Sequence, residues 1–377
     1  MERYSRPAID SADLNRFDTS KGPLEAKYGL PLQVQFCRQC VISNQRPNSA
    51  VEYEHTSASR KQTIQFDADG VCDACRLAEQ KKGTIDWDER ERRLKDLCDR
   101  FRRNDGSYDC ITPGSGGKDS LAVWDILLDL GYQADGLYIG LGIGDYSETS
   151  AEYARAFAAE RSLKLIEISL RNDYGYDVPT AAKASKRVPC SACGISKRHL
   201  FDKAALDGGY TVLVTGHNMD DEAAVLFGNT LRWDVEYLAR QSPVLPARNG
   251  FPKKVKPLIR LTEREMAAWC IVRGIDYLVD ECPMALGNKH IAYKEALNAI
   301  EQHSPGSKAA FYLNFLDNMS PLLASGTAAA TDSLLSCVSC GAPTTGDLCA
   351  FCRVADKARA HEPVPVELVL GKGRGRR

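Results

Sequence analysis

The sequence has almost no net charge and lacks any long apolar run. Its 377 residues carry 49 Lys and Arg against 50 Asp and Glu, which leaves a formal net charge of −1. This balance provides no general attraction to nucleic acid, so any such contact depends on local basic patches. No apolar stretch is long enough to span a bilayer, and the polar N-terminus lacks the apolar core of a secretory signal. The sequence therefore predicts a cytoplasmic protein without a membrane partner.

The 14 cysteines are the most unusual feature of the composition. Thiols stay reduced in the cytosol, which argues against a disulfide scaffold and favours metal ligation or thiol chemistry. Ten of them form five C-x-x-C pairs: Cys37/Cys40, Cys72/Cys75, Cys190/Cys193, Cys337/Cys340 and Cys349/Cys352. Each such turn places two thiolates on one side of a loop, and two turns complete a tetrahedral four-cysteine zinc site.

The first two pairs and the last two pairs each predict a structural Zn²⁺ site. Residues 41–71 separate the N-terminal pairs, whereas only residues 341–348 separate the C-terminal pairs. A C-terminal segment this short has little core of its own and depends on a metal to fold. Partly occupied or redox-active thiols are the alternative interpretation at both places.

The middle pair, Cys190/Cys193, has no partner pair, and Cys282 is the obvious third ligand. Three cysteines suit a cubane iron–sulfur cluster with one open iron, or a thiol pair that carries sulfur. A redox-inert turn beside one buried cysteine is the structural alternative. The other cysteines are expected in the core as small buried hydrophobes: Cys98, Cys110 and Cys270.

From residue 108 onwards, short apolar segments alternate with longer helical ones. Strands are predicted at residues 108–113, 136–140, 163–170, 211–216 and 275–280, with helices between them. This alternation predicts an α/β fold in which a doubly wound parallel sheet carries helices on both faces. Thr262 and Glu265 form a capping box that opens a helix to about residue 273. A further helix, capped by Asp86, is predicted before the first strand.

A glycine-rich loop follows the first predicted strand and leads directly into a helix. It consists of Ser115, Gly116, Gly117, Lys118, Asp119 and Ser120. The glycines let the backbone approach a phosphate, and the helix N-terminus together with Lys118 attracts the anion. The loop is not a Walker A motif, because Thr112 stands in place of its first glycine and Asp119 in place of its Ser or Thr.

This SGGKDS segment after a strand resembles the pyrophosphate loop (PP-loop) of the adenine-nucleotide alpha-hydrolase-like superfamily, a HUP-like fold. Three further segments, CSACGISKRHL, TGHNMDDEA and ECPMALGNKH, resemble the tRNA 2-thiouridine and 2-thiocytidine synthetases of that superfamily. Residues 37–120 are in contrast similar to the PP-loop N-acetyl-sugar amidotransferases of surface-polysaccharide pathways. The middle and C-terminal segments are the ones related to sulfur chemistry, so the resemblance favours C2 of a tRNA uridine as the target, with an N-acetyl sugar or a small molecule as the alternative substrate.

The thiolation branch implies an ATP-dependent, adenylating sulfurtransferase. By this resemblance residues 115–120 hold the pyrophosphate of ATP, with Mg²⁺, and Asp119 orients the metal or the loop. Gly216 and His217 are expected beside the nucleotide, and Lys197 near developing negative charge. Asp220 or Asp221 is expected as a second metal ligand or acid–base group. The three cysteines Cys190, Cys193 and Cys282 would hold a [4Fe-4S] cluster, and a persulfide relay without a cluster is the rival mechanism.

These assignments divide the chain into six segments: an extension (1–36), an N-terminal zinc module (37–80), a linker helix (84–104), the PP-loop catalytic domain (105–324), a C-terminal zinc module (325–355) and a basic tail (356–377). The expected partners are tRNA and a sulfur-donor protein, with a ubiquitin-like sulfur carrier as one candidate, and a homodimer is left open. Local basic patches at 183–187, 197–199, 253–256 and the tail are candidate RNA contacts.

Overall fold

The computed structural model describes residues 30–31, 33–40, 42–45, 63–82, 85–103, 105, 109–285, 288–326 and 334–366. Its contacts separate the described residues up to 93 as one unit from those from 94 onwards as the other. Most of the predicted extension and the cationic end of the tail lie outside the described residues. No helix in the described part of the chain is long and apolar enough to cross a membrane.

The described part of the N-terminal unit is formed by short loops and one helix. Isolated β-bridges join Phe36 to Ser43 and Phe66 to Cys72, and helix α1 (Asp73–Lys82) follows. Helix α2 (Trp87–Asp99) begins in this unit and ends in the next. The Asp86 carboxylate accepts a hydrogen bond from the Glu89 N–H at 2.8 Å, so the predicted cap is present.

The second unit is organised around one six-stranded sheet. Its strands are β1 (Cys110–Pro113), β2 (Ala134–Gly140), β3 (Leu165–Ser169), β4 (Val212–Val214), β5 (Val244–Leu245) and β6 (Lys253–Val255). They lie in the order β3-β2-β1-β4-β6-β5, and every pair is parallel except β5 with β6. The predicted α/β class is confirmed. The strand order reverses between β1 and β4, where open parallel sheets form their ligand crevice.

Helices cover both faces of this sheet. They are α3 (Lys118–Asp129), α4 (Gly144–Glu160), α5 (Leu170–Tyr174), α6 (Val178–Ser185), α7 (Pro189–Asp207), α8 (Met219–Arg232), α9 (Val235–Arg240), α10 (Glu263–Val272), α11 (Lys289–His303), α12 (Ser307–Asn314) and α13 (Ser320–Gly326). Alternate side chains of β4 enter different cores. Leu213 joins the core beneath α7, whereas Val212 and Val214 join the core beneath α3 and α10. The two cores lie on opposite faces of the sheet, as expected for a doubly wound fold.

One predicted strand is wrong. Residues 275–280 form no regular strand, and only Leu278 makes a single parallel bridge, to Gly117. The strand beside β4 is instead β6, which lies in the KKVK segment that the charge pattern had marked as a basic patch. Lys254 lies 2.7 Å from an Asp202 oxygen and Lys256 lies 2.7 Å from a Glu222 oxygen. Paired charges of this kind are tolerated in a half-buried strand and are not free for RNA.

The C-terminal module packs on the helices and sheet of the second unit. It contains β7 (Leu335–Ser336), β8 (Pro343–Thr344) and α14 (Ala350–Arg359), which contacts α6 and α7. Phe351 and Val354 of α14 belong to the same buried core as Leu137 of β2. The predicted division at 355/356 therefore falls inside a continuous helix.

Candidate active site and metal centres

The eight cysteines assigned to zinc assemble into two quartets. Cys37, Cys40, Cys72 and Cys75 form one, and Cys337, Cys340, Cys349 and Cys352 form the other. A tetrahedral ion with metal–sulfur bonds of about 2.3 Å separates its ligand sulfurs by about 3.8 Å. The measured Sγ–Sγ distances are 3.8 Å for Cys37–Cys75, 3.6 Å for Cys40–Cys72 and 3.7 Å for Cys340–Cys349. Each quartet therefore fits one tetrahedrally coordinated Zn²⁺ of its own.

The pKa values of the cysteine thiols also indicate that the quartets bind a cation. Burial opposes ionisation of Cys337, but N–H groups such as that of Cys349, 3.3 Å from its Sγ, lower its pKa to about 6. Burial raises the pKa of Cys352 above its usual range, and the neighbouring thiols raise it further. One thiolate can thus form unaided, while four together need a positive ion between them.

The three remaining candidate ligands meet where α7 begins. Cys190 and Cys193 lie on the first two turns of α7, and Lys197 follows Cys193 on the same side of the helix. Cys282 precedes a 3₁₀ turn (Pro283–Ala285), and the Met284 carbonyl lies 3.7 Å from the Cys190 Sγ. Burial raises the pKa of Cys282 to about 11, and the charges of Cys193, Cys190 and Lys197 all act on it. The fold thus brings these four side chains together.

This third group differs from the quartets in its spacing. Within the described residues, the only sets of three or more His, Cys, Asp or Glu side chains close enough for one ion are the two quartets. A cubane cluster spreads its cysteine ligands farther apart than a single ion does, so ligand atoms too far apart for one ion do not exclude a cluster. Tyr146 of α4 lies within range of the charges of Cys282 and Cys193, and no sequence signal marked it.

The glycine-rich loop is held by hydroxyl groups on both sides. The Ser115 N–H donates to the Ser120 Oγ at 3.1 Å, and that hydroxyl donates to the Gly117 carbonyl at 2.8 Å. From α4, the Ser150 hydroxyl donates to the Ser115 carbonyl at 2.6 Å. Gly117 is the N-cap of α3 and supplies no side-chain cap, so the first N–H groups of α3 are available to an anion.

Two glycines are required by close backbone approach. Gly116 has a φ of +71°, and a Cβ there would lie 2.2 Å from the Ser150 carbonyl oxygen. A Cβ on Gly216 would lie 2.5 Å from the Asp119 carbonyl oxygen. Gly216 therefore lets the TGHN segment after β4 lie against the loop after β1.

Asp119 faces the segment after β4. Its Oδ1 accepts a hydrogen bond from the Asn218 side chain at 3.2 Å, and its Oδ2 lies 3.2 Å from the Lys118 ammonium. Burial raises the pKa of Asp119 to about 6, although the Lys118 charge opposes this. Asp119 thus links the loop to the start of α8.

The two acidic residues at the start of α8 pair with different lysines. Asp220 pairs with the buried Lys308 ammonium, and its Oδ2 accepts the Glu263 N–H at 2.8 Å. Asp220 thereby links the start of α8 to α10 and α12. Asp221 lies 2.6 Å from the Lys294 ammonium. Burial opposes ionisation of Asp221, but Lys294 lowers its pKa below the usual value.

His217 lies beside this pair, and its Nδ1 is 2.9 Å from the Thr215 hydroxyl. Burial lowers its pKa, which favours the neutral ring. Sequence reasoning did not find the residues that complete the cluster, which are Glu263, Lys294 and Lys308. They lie far from the loop in sequence, and the capping box at Thr262 indicated only that a helix begins there.

The carboxyl edge of the sheet therefore combines two kinds of chemistry. A candidate anion site is formed by the loop, the α3 N-terminus and Lys118, at the point where the strand order reverses. A group of three cysteines with Lys197 is formed by the start of α7 and the segment around Cys282. The anion site suits a nucleotide phosphate, and the cysteine group suits an iron–sulfur cluster or sulfur transfer.

Comparison with known proteins agrees with this combination. No protein-family model matches the chain. The tRNA-5-methyluridine(54) 2-sulfurtransferase of Thermus thermophilus is 50% identical over 258 residues, which are 67% of this chain and 79% of that protein. The enzyme of the same name from Pyrococcus horikoshii is 37% identical over 266 residues, 70% of this chain and 83% of that protein. These relatives favour the sulfurtransferase over the sugar amidotransferase.

A solved structure shares the fold. The U34-tRNA thiolase NcsA of Methanococcus maripaludis, solved with its [4Fe-4S] cluster, superposes with a TM-score of 0.58 at 19% identity. The match covers 87% of this chain and 98% of that one. On the identity to the sulfurtransferases and the extent of their coverage, the chain belongs to the tRNA 2-thiolation family of PP-loop enzymes.

Proposed function

We propose that this protein is an ATP-dependent sulfurtransferase that replaces the C2 oxygen of a tRNA uridine with sulfur and releases AMP and pyrophosphate. The observation that carries the proposal is the presence, in one catalytic domain, of the PP-loop anion site after β1 and the three-cysteine group at the start of α7. Phosphate binding alone would suit many ATP-dependent enzymes. A cysteine group with a neighbouring lysine supplies the sulfur chemistry that distinguishes thiolation.

The activation step uses the loop. Residues 115–120 and the α3 N-terminus bind the pyrophosphate portion of ATP, with Mg²⁺ compensating its charge. The uridine C2 oxygen attacks the α-phosphorus, and pyrophosphate leaves with the electrons of the broken P–O bond. Lys118 stabilises the charge that grows on the leaving pyrophosphate.

The substitution step uses the cysteine group. A sulfide nucleophile attacks C2, and AMP departs with the former C2 oxygen, so that one ATP and one sulfide yield AMP, pyrophosphate and a thiocarbonyl. Lys197, one turn along α7 from Cys193, is the cation that stabilises negative charge developing there. Asp221 is the member of the acidic pair with a role near the nucleotide, because its charge acts on Asp119 of the loop.

The cofactors follow from the donor sets. Cys190, Cys193 and Cys282 would hold a [4Fe-4S] cluster, and a cluster held by three cysteines supplies one iron that is open to an incoming sulfur. The two four-cysteine quartets would hold structural Zn²⁺. A persulfide passed between Cys190 and Cys193 stays the rival mechanism.

The nucleoside that we propose as the target is taken from the names of the relatives. Three sulfurtransferases with the same name, with identities from 33% to 50%, act on 5-methyluridine 54 of tRNA, and we propose the same nucleoside here. A sulfur-donor protein, such as a ubiquitin-like carrier, is the proposed source of sulfur. The cytoplasmic location and the homodimer stay predictions.

The proposal is tested by following ATP cleavage. Purified, cluster-containing protein is incubated under nitrogen with Mg²⁺, sulfide, ATP labelled at the α-phosphorus, and tRNA. AMP should form only when tRNA is present, in proportion to the thionucleoside produced. Formation of ADP, or of AMP without dependence on tRNA, would contradict the proposal.

A further inference from the structure

The Glu263 carboxylate is shared by two lysines that come from different helices. Its Oε1 lies 2.7 Å from the Lys118 ammonium of α3, and its Oε2 lies 3.5 Å from the Lys294 ammonium of α11. Glu263 itself is the first residue of α10. In the described part of the chain these two lysines are the contacts of its carboxylate.

The place where the N-termini of α3, α8 and α10 meet favours negatively charged groups. The first turns of α3, α8 and α10 supply Asp119, Asp221 and Glu263 to the same cluster, and helix N-termini attract negative charge. Burial opposes protonation of Lys118, but Asp119 and Glu263 raise its pKa above the ordinary value. Burial likewise opposes protonation of Lys294, but Asp221 and Glu263 raise its pKa, so both ammonium groups are charged at neutral pH and need an anionic partner.

The other two carboxylates are tied to the protein in additional ways. Asp119 accepts a hydrogen bond from the Asn218 side chain at 3.2 Å, and Asp221 accepts one from the Asn218 backbone N–H at 3.2 Å. Glu263 alone bridges the lysine of the PP-loop and the lysine of α11. Its displacement would remove one anionic partner from both cations at once, while Asp119 stays beside Lys118 and Asp221 beside Lys294.

We propose that Glu263 is an internal anion that competes with the pyrophosphate portion of the nucleotide for Lys118 and Lys294. The inference rests on the proposed function, because it takes the ligand of the loop to be ATP and its product pyrophosphate. When phosphate binds, the two ammonium groups exchange the carboxylate for phosphate oxygens. When pyrophosphate has to leave, Glu263 re-forms both ion pairs and promotes its release.

Lys294 is accordingly a second phosphate-binding cation, which the sequence did not reveal. It lies 2.6 Å from Asp221 and 3.5 Å from Glu263, so it reaches the loop side of the cluster from α11. This competition predicts opposite changes in phosphate affinity for two substitutions. Removing the Glu263 charge should tighten phosphate binding, whereas removing the Lys294 charge should weaken it.

The test is calorimetric titration of the full-length protein with Mg²⁺-pyrophosphate and, separately, with ATP. Glu263→Gln should bind pyrophosphate about fivefold more tightly, the factor for one partly exposed ion pair, and Lys294→Gln should bind it more weakly. Glu236→Gln makes the same change of charge in the first turn of α9 and should leave binding unchanged. Unchanged or weaker binding by Glu263→Gln would overturn the inference. A wild-type protein that binds neither ATP nor pyrophosphate would instead contradict the proposed function as well.

Thermal unfolding separates competition from a purely structural role. Without pyrophosphate, Glu263→Gln should unfold at a lower temperature than the wild type, because two lysines lose their shared partner. With saturating pyrophosphate this deficit should shrink or reverse, because the phosphate then supplies the missing anion. An equal deficit under both conditions would show that Glu263 only stabilises the fold.

Discussion

The Ser150 carbonyl lies so close to Gly116 that a methyl group on this glycine would stand 2.2 Å from its oxygen. The Ser150 hydroxyl also donates to the Ser115 carbonyl at 2.6 Å. Ser150 of α4 thus packs directly against the PP-loop. A glycine is needed at position 116 both for the φ of +71° and for this close contact.

Gly116→Ala should therefore disrupt the loop beyond the cost of its backbone conformation. Gly131→Ala is the matched control, because Gly131 has a φ of +81° with open space around it. Both changes should lower the free energy of unfolding by about 1 kcal/mol from backbone strain. Only Gly116→Ala should also weaken ATP binding, by about tenfold or more, as measured by calorimetry. Equal ATP affinities in the two variants would show that the Ser150 contact does not shape the loop.

The three-cysteine group makes a spectroscopic prediction. Cys282→Ala should abolish the broad visible absorbance of anaerobically purified protein and should also abolish thiolation, because a cubane loses one of its three ligands. Cys98→Ala, which changes a buried core cysteine, should keep both. Wild-type protein that is colourless yet active would contradict the cluster and would favour the persulfide relay between Cys190 and Cys193.

Zinc content should follow the quartets. The wild type should contain about two Zn²⁺ per chain, and Cys352→Ala should contain about one. Because Cys352 lies in the same buried core as α6 and α7, this variant should also unfold at a lower temperature. Elemental analysis together with calorimetric unfolding provides the measurement, and Cys110→Ala is the control that should keep both ions. A Cys352→Ala protein with full zinc content would contradict the assignment.

The docking of α14 should depend on pH through His199. Its ring stacks on Phe351 with centroids 4.0 Å apart, its Nε2 finds no hydrogen-bond partner among the described residues, and burial lowers its pKa from 6.5 to about 4. Between these values the unfolded chain binds a proton that the folded chain does not, so stability should fall as pH drops from 6.5 towards 4. His199→Phe keeps a ring against Phe351 and should reduce this slope in denaturant titrations. An unchanged slope would mean that His199 does not titrate as its burial requires.

Local spacing explains what the sequence could predict. The C-x-x-C pairs and the strand–loop–helix context of Gly116 place their chemistry within a few residues, so ligands and loop were identifiable without a fold. Glu263 could not be recognised, because its partner Lys118 is 145 positions away and only the packing of α10 on α3 joins them. The β6 strand was missed for a related reason. Lys254 and Lys256 look like a solvated patch until Asp202 and Glu222 are placed beside them.

Thiolation of a tRNA uridine by this protein is tested most directly by mass spectrometry of tRNA nucleosides. We expect 5-methyl-2-thiouridine to disappear from tRNA when this gene is deleted in its source organism. It should return with wild-type protein and with Cys98→Ala, but not with Cys282→Ala. Unchanged thionucleosides in the deletion strain would contradict the account.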